Sequence, residues 1–316
     1  MAAPGEIRSC VSPGLPGAWA EFLGRIAMRG GPEPADNAGL SDFFRKAAAA
    51  VRDRKVSRAD LRSLFANLEP AAFSSATMQG VVLAQRFGYP GDFELLDCIY
   101  KGCTCADPAL ARWDVFFHGQ PAIRALRNAK AFFRSWLSQA EADFDNRLPR
   151  LRLLCPGGGP GRELLEYFAE NPASRVFCTY LDPDARAVAY AAGICAPVAG
   201  RVEYQQANPL GFQAAEPHLI WACGLFDYLD DLNLVSILRR LWHLLLPGGR
   251  LVSGSFSRAN PSRDYMNLLG WRLHHRDASE LVLLAGQVGV PGKAIQVEAD
   301  PEGAYLFLHL DKKYFP

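Results

Sequence analysis

Two hydrophobic periods divide the chain. From Ser41 to about Asp145, apolar residues recur at three- and four-residue spacings, the mark of helices buried along one face. Ser41 reads as the cap of a helix carrying Phe43, Phe44, Ala47 and Ala50. Ser57 reads as the cap of RADLRSLFANL, where Leu61, Leu64, Phe65 and Leu68 share a face. Ala122–Ala142 reads as one long helix with Leu126, Ala129, Phe133, Trp136 and Leu137 turned inward. No convincing strand falls in this part. Residues 1–40, rich in Pro, Gly and Ala, are expected to form a loose lead or arm.

Beyond Leu151 the pattern changes to short apolar runs separated by helical stretches. Strands are expected at Leu151–Cys155, Val176–Leu181, Val202–Tyr204, Leu219–Ala222, Leu251–Phe256, Ile295–Glu298 and Tyr305–Leu310. Helices are expected at Glu163–Ala169, Ala185–Ala192 and Leu232–Leu246, the last stopped by Pro247-Gly248-Gly249. Asp277 can cap a further helix, with Glu280 at the capping-box position. The last two strands have only Asp300-Pro301-Glu302-Gly303 between them, a hairpin-like turn. The expected organisation is a lead over 1–40, a helical domain over 41–145 covering a site, and an α/β domain over 146–316.

The segment LRLLCPGGGPGRE, residues 151–163, combines a strand, a glycine turn and a helix start. Glycines allow close backbone approach to a ligand, and the helix N-terminus offers free N–H groups. The next strand ends in Asp182, placed to accept both ribose hydroxyl hydrogen bonds. Arg162 breaks the dinucleotide spacing G-x-G-x-x-G and leaves G-x-G-x-G. With the acid closing the second strand, this resembles a class I methyltransferase that binds S-adenosylmethionine. The resemblance implies a Rossmann-like seven-stranded methyltransferase sheet of order 3-2-1-4-5-7-6, here with an all-helical N-terminal domain. It implies S-adenosyl-L-methionine as cofactor. Pro156, Gly157, Gly158, Gly159 and Arg162 would lie against its methionine part. Asp182 would lie on the ribose, with Pro183 behind it. Asn208 and Pro209 would meet the adenine, and Ala222 and Gly224 would close the strand-four side. Arg127 would reach the cofactor carboxylate or else lie on a solvated face. One position departs from the family: Cys155 stands where an acid usually ends strand one.

A second resemblance rests on FGYPGDFELLDCIY, FFHGQPAIRALRNAKAFF, LFDYLDD, LLLPGGRLVSGSF and NPSRDYMNLLGWRLHHRDASEL, between Phe87 and Leu281. Together these are similar to bacterial methyltransferases named for biosynthesis of an extracellular factor, 3-hydroxypalmitic acid methyl ester. That family name implies methyl transfer to a fatty-acid carboxylate.

Such an acceptor is ionised at neutral pH and needs no base, whereas a phenol, amine or carbon acceptor often does. Candidate bases or orienters are His118, Asp92, Tyr228, Asp227 and Tyr100. Bland roles compete: an interface histidine for His118, a helix cap for Asp92, simple packing for Tyr228. Trp271, Phe226 and Tyr265 line an acyl or aromatic pocket or belong to ordinary core. His274 and His275 are expected at the surface.

Composition narrows the partners. Net charge is +1 over 316 residues, which gives no electrostatic case for nucleic acid. No apolar run approaches membrane-spanning length, and the N-terminus lacks a signal-like apolar stretch. Eight scattered cysteines read mainly as free thiols, and Cys98, Cys103 and Cys105 lack metal-ligand spacing. The reading is therefore a cytoplasmic enzyme with a small-molecule methyl acceptor, no metal, and a homodimer as one expected assembly. N-, C- or other O-methylation of a natural-product intermediate is the alternative. Aminopropyl transfer would call for more paired acids than Asp227, Asp230 and Asp231. A non-catalytic S-adenosylmethionine-binding or regulatory protein is the reading from another class.

Overall fold

The computed structural model describes residues 16–68, 71–144, 148–212 and 215–313. The chain runs through α1 (Gly17–Met28), α2 (Asn37–Arg52), α3 (Arg58–Asn67), α4 (Met78–Ala84), α5 (Phe93–Lys101), α6 (Pro108–His118) and α7 (Pro121–Asp143). It continues through β1 (Leu151–Pro156), α8 (Arg162–Glu170), β2 (Val176–Asp182), α9 (Ala185–Ile194), β3 (Val202–Gln206) and β4 (Leu219–Cys223). There follow α10 (Asp231–Leu244), β5 (Arg250–Phe256), α11 (Arg263–Leu268), α12 (Ala278–Gln287), β6 (Ile295–Ala299) and β7 (Tyr305–Asp311).

Two compact units result, and both are discontinuous in sequence. One holds residues 1–91, 101–123 and 262–272; the other holds 92–100, 124–261 and 273–316. Helix α5 and most of α7 thus belong with the sheet, and α11 belongs with the helices.

In the helical unit, Tyr265 of α11 is a core residue. Its ring meets Phe44 edge-on at 4.7 Å and Phe116 at 5.8 Å. Its hydroxyl donates to Gln79 Oε1 at 2.7 Å, so the buried phenol is satisfied. Asp114 accepts from the amides of Met78 and Cys105, both at 2.6 Å, and pins α4 to α6. Ser57 caps α3 as expected, accepting from the Asp60 amide at 3.0 Å.

Two expectations are corrected here. Residues 17–40 are mostly helical, not a loose arm; residues 1–15 of that lead lie outside the described residues. Trp19, Phe22, Leu23 and Ile26 fall at helical spacing, with Leu23 and Ile26 buried, a period hidden among small residues and prolines. Ser41 does not cap α2. A one-turn helix, Pro34–Asp36, opens the segment, with Glu33 and Asp36 in a capping box and Pro34 in the first turn. Ser41 lies inside α2 and its hydroxyl donates to the Asn37 carbonyl at 2.8 Å.

The other unit is built on a seven-stranded sheet of order β3-β2-β1-β4-β5-β7-β6. Strands β1 to β5 pair in parallel; β7 is antiparallel to both β5 and β6, the expected terminal hairpin. The central strands are buried on both faces, which explains their unbroken apolar character. On one face Leu154, Ile220, Ala222 and Leu251 join Leu234, Leu238 and Leu241 of α10 and Leu284 of α12. On the other, Trp221 meets Phe133 at 5.0 Å and Trp136 at 5.5 Å, both on α7. Helix α7 is also tied to the β6–β7 turn: Arg124 Nε donates to Glu302 at 2.8 Å and Asn128 Nδ2 to Asp300 at 3.0 Å. Among the described residues, no helix is long and apolar enough to cross a membrane.

Candidate functional site

The strand order reverses between β1 and β4. In open α/β sheets that reversal opens a crevice at the carboxyl ends of the strands, where ligands bind. The residues following β1, β2 and β4 therefore define the candidate site.

After β1 the backbone turns through Gly157, Gly159 and Gly161, at φ of 68°, 55° and 70°. Side chains are excluded for a second reason at Gly158: a Cβ there would lie 2.3 Å from the Tyr180 ring. Tyr180 in turn donates its hydroxyl to the Gly159 carbonyl at 2.6 Å. The Gly157 amide donates to the Leu181 carbonyl at 2.8 Å, which seats the turn on the end of β2.

Asp182 ends β2 and is 9% exposed. Its Oδ1 accepts from the Asp184 amide at 2.9 Å. Burial raises its pKa to about 6, with the nearby Asp184 charge adding to the rise and the amides of Asp184 and Gly159 opposing it. The acid is therefore held rigidly beside the glycine turn. Pro183 is exposed next to it.

Beyond β3, Asn208 is exposed and Pro209 buried; Asn208 Oδ1 accepts from the Leu210 amide at 2.8 Å. Ala222, near the end of β4, is packed in the core, and just beyond the strand the Gly224 amide donates to the Tyr305 hydroxyl at 3.0 Å.

Arg162 is committed to a protein partner. Its guanidinium forms a two-point ion pair with Asp97 of α5, including an Nη2–Oδ2 contact of 3.2 Å. Tyr190 of α9 donates to the same carboxylate at 2.8 Å. Asp97 is fully buried, and the sequence reading did not single it out because 65 positions separate it from Arg162.

Glu163 follows, in the first turn of α8. It is 9% exposed, and its Oε2 has no hydrogen-bond partner. Burial raises its pKa to about 7. Arg127, on α7, is half-buried; burial and its neighbour Arg124 lower its pKa.

The expected bases occupy defined structural positions. Asp227 is 2% exposed; its Oδ1 accepts from the Phe256 amide at 2.7 Å and from Ser255 Oγ at 3.1 Å. Burial raises its pKa to about 7 against those hydrogen bonds and the Arg276 charge. Tyr100 is half-buried, with the Lys130 ammonium 5.7 Å from its ring centroid, and burial pushes its pKa well up. Asp92 accepts from the Leu95 amide at 2.9 Å at the start of α5. Tyr228 is exposed. His118 belongs to the helical unit, where its Nε2 lies 2.7 Å from the Cys103 carbonyl.

Phe226, Trp271 and Tyr265 are all core residues. His275 is buried, contrary to expectation, because it flanks the bridge between Ser257 and Arg276 and packs against Phe256 at 5.6 Å.

No family model and no curated protein matches this sequence. Solved structures do match. One, described as a possible exported protein from Bordetella parapertussis, aligns with a TM-score of 0.64 at 18% identity, over 89% of this chain and 96% of its own. The CMeT domain of the citrinin polyketide synthase aligns with a TM-score of 0.52 at 16% identity, over 81% of this chain and 69% of its own. The fold is that of the class I S-adenosylmethionine-dependent methyltransferases. At these identities the likeness speaks to fold.

The residues present fit the cofactor that this fold implies. Gly157 and Gly159 present side-chain-free backbone at positive φ just beyond β1, and Asp182 ends β2 as an acceptor.

Proposed function

We propose that this chain is an S-adenosylmethionine-dependent methyltransferase acting on a small molecule, with a carboxylate oxygen as the methyl acceptor. The observation that carries the reading is the pairing of Asp182 with the glycine turn at the β1–β4 crevice. A buried carboxylate beside N–H-rich backbone is suited to a ribose diol next to a close-packed ligand. When bound, the cofactor supplies an electrophilic methyl group on a cationic sulfur.

The remaining work is alignment, which alone is worth several orders of magnitude in rate. The glycine turn would lie against the methionine part, and Asp182 would fix the ribose. Arg127 would hold the cofactor carboxylate. Asn208 would offer its NH2 group to the adenine edge.

The state of the expected bases supports a carboxylate acceptor. Asp227 accepts two hydrogen bonds from β5, Asp92 accepts from α5, and His118 meets a backbone carbonyl. Groups held this way serve structure, and a carboxylate acceptor needs none of them. The similarity to the 3-hydroxypalmitate ester family suggests a long-chain acid.

The test is a transfer assay with methyl-labelled S-adenosylmethionine and a series of 3-hydroxy fatty acids. Label in an ester released by mild alkali supports the carboxylate reading. Alkali-stable label moves the acceptor to nitrogen, carbon or another oxygen. Cofactor binding with no turnover on any acceptor class favours the non-catalytic alternative.

A further inference from the structure

The helical unit holds a cavity of about 830 Å³, within the size range of small-molecule sites. Its walls come from the end of α2, from α3, from the end of α4, and from α11 with the turn after it. Among the described residues lining it, the charged ones are Arg52, Arg58, Arg62, Arg263, Arg272 and Asp264. Five guanidiniums thus face one carboxylate, in a chain whose overall net charge is only +1. Arg52 pairs loosely with Asp264 at 3.6 Å. The other four arginines are exposed and have no ion pair among the described residues. Like charges gathered in this way repel one another, and a cleft lined by one sign focuses the field that draws in an anion.

The same cavity has an apolar lining. Val51, Leu83 and Leu268 are half-buried, and Leu61, Phe65 and Leu269 are buried. Its frame is fixed: Tyr265 of α11 packs on Phe44 of α2 at 4.7 Å, and Gln85 Nε2 donates to the Gly270 carbonyl at 2.9 Å. Gln85 makes that bond from a left-handed backbone, φ 41°, which a residue other than glycine seldom adopts.

We propose that this cavity binds an amphipathic polyanion, a phosphorylated ligand with an apolar arm, of the coenzyme A thioester class. A lone carboxylate would leave most of the guanidiniums unpaired. The nucleotide half of coenzyme A carries roughly four negative charges, counting about two for its monoester phosphate. Planar guanidiniums match phosphate oxygens two at a time. The acyl arm would take the apolar lining. The inference goes beyond methyl transfer and does not rest on it, because every residue used lies in the helical unit.

Calorimetry on the full chain, at about 0.15 M salt to screen loose surface attraction, tests this with decanoyl-coenzyme A, coenzyme A and decanoate. Decanoyl-coenzyme A is expected to bind at one site, at least about tenfold more tightly than either fragment. Arg58→Glu with Arg62→Glu should weaken it about 10- to 100-fold, the scale of charge-assisted hydrogen bonds. Arg272→Glu, on another wall, should also weaken it, and Leu83→Ser should narrow its advantage over coenzyme A. Thermal midpoints show which variants are folded. No binding by the wild type, decanoate binding as tightly as the thioester, or wild-type affinity in the arginine variants overturns the proposal. Displacement of the thioester by S-adenosylhomocysteine also overturns it, by moving the ligand to the cofactor crevice. Thioester binding by a chain that does not bind S-adenosylhomocysteine supports this proposal and contradicts the methyltransferase reading.

Discussion

Buried Asp97 and half-buried Arg162 form an ion pair that ties α5 to the first residue of α8, next in sequence to the glycine turn. Asp97 is fully buried and also accepts from Tyr190. Removing one partner of such a pair leaves an uncompensated charge. Asp97→Ala is expected to cost about 3–5 kcal/mol of stability. Urea denaturation checks this; a loss below about 1 kcal/mol would show that the pair is solvated.

Asp227 is expected to act as a strut between the β4–α10 loop and β5. Asp227→Ala leaves the Phe256 amide and the Ser255 hydroxyl without their acceptor, at a cost of about 1–3 kcal/mol. Activity of the folded fraction should fall by less than tenfold. A loss of 10²–10⁴-fold with unchanged stability is the pattern of a general base instead.

Glu163 links the site to stability through pH. Its pKa is about 7 in the folded protein against 4.5 for the ordinary group. The folded state therefore holds a proton that the unfolded state has released, so this group lowers stability as pH rises from about 4.5 through about 7. Glu163→Gln removes that penalty. The variant is expected to match wild type near pH 4.5 and to exceed it by about 3 kcal/mol at pH 8. Urea midpoints at the two pH values measure the difference; equal differences at both would place Glu163 in a solvated setting.

The sheet was legible because its strands are short, apolar and punctuated. Val176–Asp182 and Leu219–Cys223 are buried runs, and Asp300–Gly303 allows only a hairpin. The glycine turn and Asp182 were legible because chain neighbours build them. What escaped reading depends on distant partners. Asp97 meets Arg162 from 65 positions away, and α11 joins helices that precede it by more than 140 residues. Glu163 was visible as an acid, but its lone oxygen is a property of packing. The first helix was masked by composition, since Gly, Pro and Ala around Trp19–Ile26 dilute a regular apolar face.

The cofactor site is tested most directly by titrating S-adenosylhomocysteine into the full chain and into Asp182→Ala by calorimetry. The wild type is expected to bind at one site per chain. Loss of the Asp182 contact should weaken binding by about 1.5–3 kcal/mol, roughly 10- to 150-fold. Equal affinity in the two proteins, or no binding by the wild type, contradicts a cofactor site built on Asp182 and the glycine turn.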